Sequence, residues 1–345
     1  MFPPLPIRCL ACLRAPCYPK CELRARLAPT LAEITSYEFH EFDSFREHLR
    51  GWDTDPIQLD AGPLRLCWSR LRLEDFELAH LQANRRIADT SAVEPGSLGF
   101  SLSFEPMLWC GLEVPAGALL VLSPGRDQRA TLPPGFRSIE IAASEKLLDR
   151  AGLLADVIDP RSFPPESCVL PLGPGLVAAF EELAGPLRRP AGEGISPSCA
   201  ASMRRRALDL LRGALQGRGI PGIRSIPRYD LALAALRLVE DNPGNPLSVQ
   251  ELVQALGVTR RALEYAFSSA LEVSPAQYLR ARRLNRVRRD LNARKPLNVT
   301  DAALRHGFGH LGRFSGQYRR LFGELPSQTR RSELLLSRLS ESASQ

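Results

Sequence analysis

The chain has 345 residues, which is long enough for two or three domains that each bury a core. With 44% hydrophobic and 24% charged residues it has the composition of a globular protein, and no apolar run is long enough to span a membrane. The net charge of +7 is uneven, since residues 223–331 hold 19 basic and 9 acidic side chains. Such a basic stretch fits a polyanionic partner, although an arginine-rich solvated surface would have the same charge.

Residues 1–33 are predicted to be a disordered leader, because they follow neither helical nor strand periodicity. Basic residues and prolines interrupt the apolar ones, so this segment is not a secretory signal, and we predict a cytoplasmic protein. A compact cysteine cluster in the segment could hold Zn²⁺, but no fold signal surrounds it, and we predict no metal or cofactor. The cluster consists of Cys9, Cys12, Cys17 and Cys21. That the segment lies upstream of the true start is an open alternative.

A β-rich domain is predicted over residues 34–216. Between residues 63 and 143, short alternating apolar runs are separated by turn motifs, which is typical of a β-barrel or a jelly roll. One of these runs predicts a half-buried strand, because small residues separate its apolar members Leu98, Phe100, Leu102 and Phe104. Helical periodicity follows over residues 176–216, and residues 217–227, which contain Gly and Pro, are predicted to be a linker.

Two similar helix-turn-helix patterns follow the linker. In the first, Ser248 and Glu251 have the spacing of a capping box, and Gly257 provides a tight turn before a second helix. In the second, a short helix begins at Thr300 and Gly307 makes the turn. A single pattern of this kind is usually an ordinary helical hairpin, but two copies in one basic region favour a DNA-binding domain.

A long helix from Ser274 to Leu291 is predicted to join the two units, with many arginines on its surface. At about 1.5 Å per residue it would be roughly 25 Å long, a suitable strut between two helices that enter successive turns of the major groove. We therefore predict an all-α domain over residues 228–331, followed by a flexible tail over residues 332–345. The fold class predicted for the whole chain is α+β.

The second helix of each unit has a polar face that we predict to contact DNA. In the first unit this face carries Arg260, Arg261, Glu264 and Tyr265. In the second unit it carries His310, Gly312, Arg313, Ser315, Gln317 and Arg320. Leu311, in contrast, is predicted to belong to the core of the second unit.

These residues carry a resemblance to a known family. The stretch SVQELVQALGVTRRALEYAFSSALEVSPAQYLRARRLNRVRRDL resembles the first unit and linking helix of AraC-type transcription regulators. The stretch VTDAALRHGFGHLGRFSGQYRRLFGELPSQTRR resembles their signature second unit, including the pair Gly307 and Phe308. Within the family, the stretch HGFGHLGRFSGQYRRLF is most similar to the regulator of bacterial ethanolamine-utilisation operons. This narrower similarity rests on the DNA-binding end alone.

The resemblance implies a ligand-responsive activator of a bacterial catabolic operon. Its β-rich domain would bind a small-molecule effector and form a homodimer, and its helical domain would bind double-stranded promoter DNA and act on RNA polymerase. The family's base-reading positions fall on the helix faces given above. Gly309, Gly312 and Gly316 replace larger residues that are common in the family, so we expect Arg313 and Gln317, with His310, to do most of the reading in the second unit.

An enzyme or DNA-repair protein that uses the helical domain for targeting is the alternative hypothesis. The first 222 residues contain three histidines without the His-x-His pair of metal-dependent cupin enzymes, and no nucleophile has a partnered histidine. We therefore predict that the protein is not an enzyme. Four aromatic residues of the β-rich domain could line an effector pocket or simply fill the core, namely Trp68, Phe100, Phe104 and Trp109. The sequence does not single out ligand-binding residues among them.

Overall fold

The computed structural model describes residues 32–49, 52–124, 128–154, 168–188, 194–216, 228–293 and 297–330. The cysteine cluster, the predicted linker and the predicted tail lie outside these residues. Within the described ranges, none of the helices combines the length and the apolar character needed to cross a membrane.

The N-terminal part consists of antiparallel strands with a few helices. The strands are β1 (Ala32–Phe39), β2 (Trp52–Thr54), β3 (Ile57–Gln58), β4 (Leu66–Arg72), β5 (Phe76–Ala83), β6 (Ile87–Val93), β7 (Ser97–Ser103), β8 (Met107–Trp109), β9 (Leu112–Val114), β10 (Ala118–Leu122), β11 (Gln128–Leu132), β12 (Phe136–Ser144), β13 (Cys168–Pro171) and β14 (Gly194–Ile195). The helices are α1 (Phe42–His48), α2 (Glu145–Arg150), α3 (Pro174–Leu183), a 3₁₀ turn (Gly185–Arg188) and α4 (Pro197–Leu215).

These strands form two sheets. Sheet I has the order β13-β10-β7-β12-β5-β4-β1-β14, and sheet II has the order β2-β6-β11-β8-β9, with β3 also beside β6. Apolar side chains from the facing surfaces of both sheets share one core, so the sheets pack against each other. The predicted sheet-rich domain is confirmed, but the described strands form two open sheets and not a closed barrel.

Both faces of sheet I are covered. Phe100 and Leu102 of β7 pack on the side of helices α2 to α4, whereas the opposite face of the same strand is turned towards sheet II. Ser101 and Ser103 are therefore buried as well, and the prediction of a half-buried strand was wrong. The alternation in the sequence correctly showed that one face of the strand is apolar and the other is polar. It could not show that the polar face is also covered, because the covering layer comes from distant parts of the chain.

Within residues 228–293 and 297–330, the C-terminal part consists of six helices and a short helical turn over residues 326–330. They are α5 (Tyr229–Asp241), α6 (Val249–Leu256), α7 (Arg260–Leu271), α8 (Pro275–Asn292), α9 (Val299–Arg305) and α10 (Leu311–Phe322). Helices α6 and α7 form the first helix-turn-helix unit, α9 and α10 form the second, and α8 joins them. The predicted fold class, a sheet-rich domain followed by a double helix-turn-helix domain, is confirmed.

Local hydrogen bonds explain where these helices begin. At α6 the Glu251 amide donates to Ser248 Oγ (3.2 Å) and the Ser248 amide donates to Glu251 Oε2 (2.7 Å), which is the predicted capping box. The first helix of the second unit begins at Val299, one residue before the predicted start at Thr300. The amide of Asp301 donates to Asn298 Oδ1 (2.8 Å), so Thr300 already lies in the first turn of α9.

The outer face of sheet II packs directly against the helical part. Ile57 and Ala88 belong to the core of the helical part, and Thr131 Oγ1 donates to the carbonyl oxygen of Ala270 (3.1 Å). Gly111 adopts a left-handed conformation (φ 77°), and a Cβ atom there would lie 2.2 Å from Cγ of Tyr229. The chain is thus layered, in the order helices, sheet I, sheet II and helix-turn-helix units.

Candidate DNA-binding surface and effector cavity

Helix α7 presents the predicted face of the first unit to solvent. Its buried side is formed by Leu263 and Phe267, whereas Arg260, Arg261, Glu264 and Tyr265 are exposed. Nε of Arg260 lies 2.9 Å from Oε1 of Glu264, one helical turn away, in an ion pair open to solvent. This pair holds both side chains on the outer face of the helix.

Arg228 adds a residue that the sequence analysis did not single out. It lies just before α5, and its guanidinium group stands 3.5 Å from the ring centroid of Tyr265, a cation–π contact. Tyr265 is 53% exposed although it is aromatic, so its ring forms part of the outer surface of α7 together with Arg228. No sequence signal links the two residues, because they come from separate helices.

Helix α10 presents a similar face in the second unit. His310, Gly312, Arg313 and Arg320 are exposed, and Ser315 and Gln317 are half-buried. Each of these residues therefore lies at or near the outer surface.

The prediction that Leu311 belongs to the core was wrong, since this residue is 39% exposed. It is the first residue of α10, and the inward position at this end of the helix is taken by Phe308, whose ring centroid lies 5.0 Å from that of Phe314. Leu304, which also fits the inward pattern of α9, is 54% exposed, because Ala302 and Ala303 fill the buried face of that short helix.

Three glycines make the outer surface of the second unit flat. A Cβ atom added to Gly309, Gly312 or Gly316 would have no other atom within 4 Å, so packing inside the protein does not require glycine at these positions. Glycine weakens a helix relative to alanine by about 1 kcal/mol. These residues therefore allow a close approach of another molecule to the backbone of α10.

His306, in the turn before α10, does not belong to this surface. It is buried, and its Nε2 lies 2.9 Å from Oδ2 of Asp290 on α8. Burial lowers the pKa of His306, and the carboxylate opposes that shift. In the described part of the chain, no group of three or more His, Cys, Asp or Glu side chains is arranged to hold a metal ion.

The arginines of α8 are used mainly inside the molecule. Arg282 is buried and donates to Tyr278 Oη (3.2 Å), and Arg288 lies 3.0 Å from Oε1 of Glu324. Arg289 donates to Asp55 Oδ1 (2.6 Å) in the sheet-rich domain. Three arginines of α8, namely Arg282, Arg288 and Arg289, thus lie within 4 Å of a carboxylate of the same molecule.

A second candidate site is a cavity of about 140 Å³ between the two sheets. Sheet I, sheet II and helix α1 all contribute to its walls. Trp68 and Trp109 line it, as two of the four suggested aromatic residues. Phe100 instead faces the helices, and the ring of Phe104 lies beside the guanidinium group of Arg137, with 5.4 Å to the ring centroid.

Carboxyl groups border this mostly apolar cavity from both sides. Asp89 comes from β6 of sheet II and accepts a hydrogen bond from Thr54 Oγ1 (2.5 Å), whereas Glu140 comes from β12 of sheet I and accepts one from Ser101 Oγ (2.9 Å). Both groups lie in the interior, and the surface that they leave accessible borders the cavity. The sequence analysis missed them, because an acidic residue in an alternating strand normally indicates a solvent-facing position.

Burial is the main cause of the raised pKa values of these two carboxyl groups. It raises the pKa of Glu140 to about 7 and the pKa of Asp89 to about 6. The neighbouring hydroxyl groups counteract this effect, and the charge of Asp89 adds to it at Glu140. A third acid, Glu77, also has a raised pKa from burial, but Arg70 lies 3.6 Å away and compensates its charge.

Comparisons with known proteins agree with the geometry of the helical domain. Residues 252–332 match a family model described as a helix-turn-helix domain. The probable thc operon regulatory protein of Rhodococcus erythropolis is 35% identical over 100 residues, which cover 28% of this chain and 30% of that protein. The XylDLEGF operon transcriptional activator of Pseudomonas putida is 36% identical over 98 residues, or 28% of this chain and 30% of that protein. The chain thus spans about 30% of the length of these curated relatives.

Solved structures of AraC-like proteins are also similar. CuxR, an AraC-like transcriptional activator, aligns with 73% of this chain and 93% of its own at 17% identity and a TM-score of 0.38. A probable AraC family regulator from Rhodopseudomonas palustris CGA009 aligns with 30% of this chain and 97% of its own at 30% identity and a TM-score of 0.28. The family match, together with the two units seen in the fold, identifies residues 252–332 as a helix-turn-helix domain that is similar to the corresponding part of operon regulators.

Proposed function

We propose that the protein is a sequence-specific transcription regulator whose DNA binding responds to a small molecule. The observation that supports this proposal most strongly is the layered packing of the molecule. A cavity-bearing sheet domain lies directly against two helix-turn-helix units, and β6 has one face at the cavity and the other at the helical core. An effector in the cavity is therefore one sheet away from the DNA-binding domain.

The proposed DNA-reading residues are the exposed ones on α7 and α10. Arg261 and Arg313 are the strongest candidates for base contacts, because an arginine can donate two hydrogen bonds to guanine and discriminate by about 1–3 kcal/mol. The remaining members of the surface are Arg260, Glu264, Tyr265, His310, Gly312, Ser315, Gln317 and Arg320. Arg228 joins them through its contact with Tyr265.

Genome-wide mapping of bound DNA, followed by titrations on the recovered site, tests this function. Arg261→Ala and Arg313→Ala should weaken binding to the specific site by about tenfold or more and to random DNA much less. Arg205→Ala is a matched control, since Arg205 is an exposed arginine on α4, outside the helix-turn-helix units. Parallel loss on both DNAs would contradict base reading by these arginines, and the absence of any preferred site would contradict the function.

The proposal includes the partners of such a regulator. We expect a homodimer that binds promoter DNA and activates transcription through RNA polymerase, which sedimentation analysis and in vitro transcription from the mapped promoters would test. The same map tests the narrower similarity to regulators of ethanolamine-utilisation operons, because the genes next to the bound sites identify the pathway.

A further inference from the structure

Two carboxyl groups, those of Asp89 and Glu140, border the cavity between the sheets, and among the described residues neither has a cationic partner within salt-bridge distance. Their hydrogen-bond donors are neutral groups, such as the hydroxyls of Thr54 and Ser101 and the backbone N–H of Thr90. The third acid of the cavity, Glu77, differs because Arg70 compensates it. An ionised carboxylate in an apolar interior is unfavourable unless a cation accompanies it, and without one the group tends to take up a proton.

The walls around these two carboxyl groups suit the same kind of ligand. Phe42, Phe45, Trp68, Trp109 and Phe136 line the cavity, and the faces of aromatic rings attract cations. The volume of about 140 Å³ is close to that of an apolar cavity known to accept a benzene molecule. The site therefore offers two acids on opposite walls and an aromatic lining for a body of about that size.

We propose that this cavity binds a small organic cation, namely an ammonium group on an apolar body about the size of a benzene ring. The ammonium group donates to Asp89 and Glu140, and the aromatic side chains surround the body. This assignment rests on the proposed function in one respect, since it takes the cavity as the effector site of the regulator.

A cationic ligand also gives a specific pH dependence. Its binding requires ionised acids, so the affinity should rise as the pH increases through about 6 to about 7 while the amine stays protonated. Other charged groups near the cavity are Glu77 with Arg70 and Arg72, and Asp55 with Arg289. On the side of Asp89 that faces the helical domain lie Arg129 and Arg282, both paired with Glu240. A neutral or anionic ligand would behave in the opposite way, because protonated acids can donate hydrogen bonds to it.

Calorimetric titration of the full-length protein with three probes of one skeleton tests the proposal. Benzylamine should bind at least about tenfold more tightly than benzyl alcohol, and benzoate should bind most weakly. Glu140→Gln and Asp89→Asn keep the shape of the side chains and should each remove most of the preference for the amine. Glu77→Gln is the matched control inside the cavity, and it should have a smaller effect because the charge of Glu77 is already compensated.

Equal affinity for the three probes, a preference for benzoate or benzyl alcohol, or no binding of benzylamine at millimolar concentration would overturn the proposal. Preference for the amine that survives both substitutions would overturn it as well. Binding of the mapped DNA site is measured on the same protein samples without any probe. If the protein binds its DNA site but not the amine, only the proposed class of ligand is refuted. If the unmodified protein binds no specific DNA site, the proposed function is refuted.

Discussion

Replacing Gly312 and Gly316 of α10 by alanine separates stability from DNA recognition. Because an added Cβ has no neighbour within 4 Å at either position and alanine is favoured in helices by about 1 kcal/mol, we expect the double variant to gain up to about 2 kcal/mol in free energy of unfolding of the helical domain. The DNA-bound state should respond in the opposite direction. If this face lies in the major groove, two extra methyl groups should weaken specific binding by about 1–3 kcal/mol, which is the cost of inserting such groups into a well-packed protein core.

Denaturant unfolding followed by circular dichroism gives the first quantity, and fluorescence anisotropy with a labelled specific site gives the second. Gly213→Ala is the control, because Gly213 lies within α4 and its added Cβ would meet only Leu176, at a comfortable 3.6 Å. This variant should not change DNA affinity. Unchanged or tighter specific binding by the double α10 variant would show that this helix face is not at the DNA interface, and it would refute the close approach inferred from the glycines.

Three further predictions concern the cavity and the contact between the domains. The pKa of Glu140 is about 7 in the folded protein against an ordinary value of 4.5, so ionisation of Glu140 destabilises the fold as the pH rises between these values. Glu140→Gln should therefore raise the free energy of unfolding by up to about 3 kcal/mol at pH 8 and hardly at pH 4. Denaturant unfolding at both pH values measures this difference. Gly111→Ala places a methyl group against Tyr229 and should cost at least about 2 kcal/mol, visible as faster amide exchange in α5; unchanged exchange would contradict the packing. Glu240→Gln removes the negative charge opposite Arg129 and one of the two acceptors to which its N–H groups donate at 2.8 and 2.7 Å, so it should destabilise the protein by about 2 kcal/mol. A double-mutant cycle with Arg129 measures the coupling between the two residues, and a coupling energy near zero would contradict this role.

The sequence predicted those features that depend on neighbouring residues. The capping box of α6 needs only Ser248 and Glu251 three positions apart, and the turn at Gly257 needs only a residue that tolerates a left-handed conformation. Features that depend on distant partners were missed. The position of Leu311 depends on how Phe308 fills the core, and the role of Arg289 depends on Asp55 from the other domain. A pattern within one helix cannot reveal which neighbour will cover it.

The same reasoning explains how the cavity and the DNA-binding domain can be coupled. Asp89 borders both the cavity and the space between sheet II and the helical domain, and the negative charge of Asp55 helps to raise its pKa. Asp55 in turn accepts a hydrogen bond from Arg289 of α8, the helix that joins the two units. Despite the burial of Asp55, this bond lowers its pKa. A cation bound at Asp89 would favour ionisation of Asp89 and change the electrostatic field at Asp55 and Arg289.

Arg289→Ala should therefore reduce the effect of an effector on DNA affinity while leaving effector binding nearly intact. Calorimetry measures effector binding, and anisotropy titrations measure the effect on DNA affinity. Equal effector response in this variant would show that the signal reaches α8 by another contact.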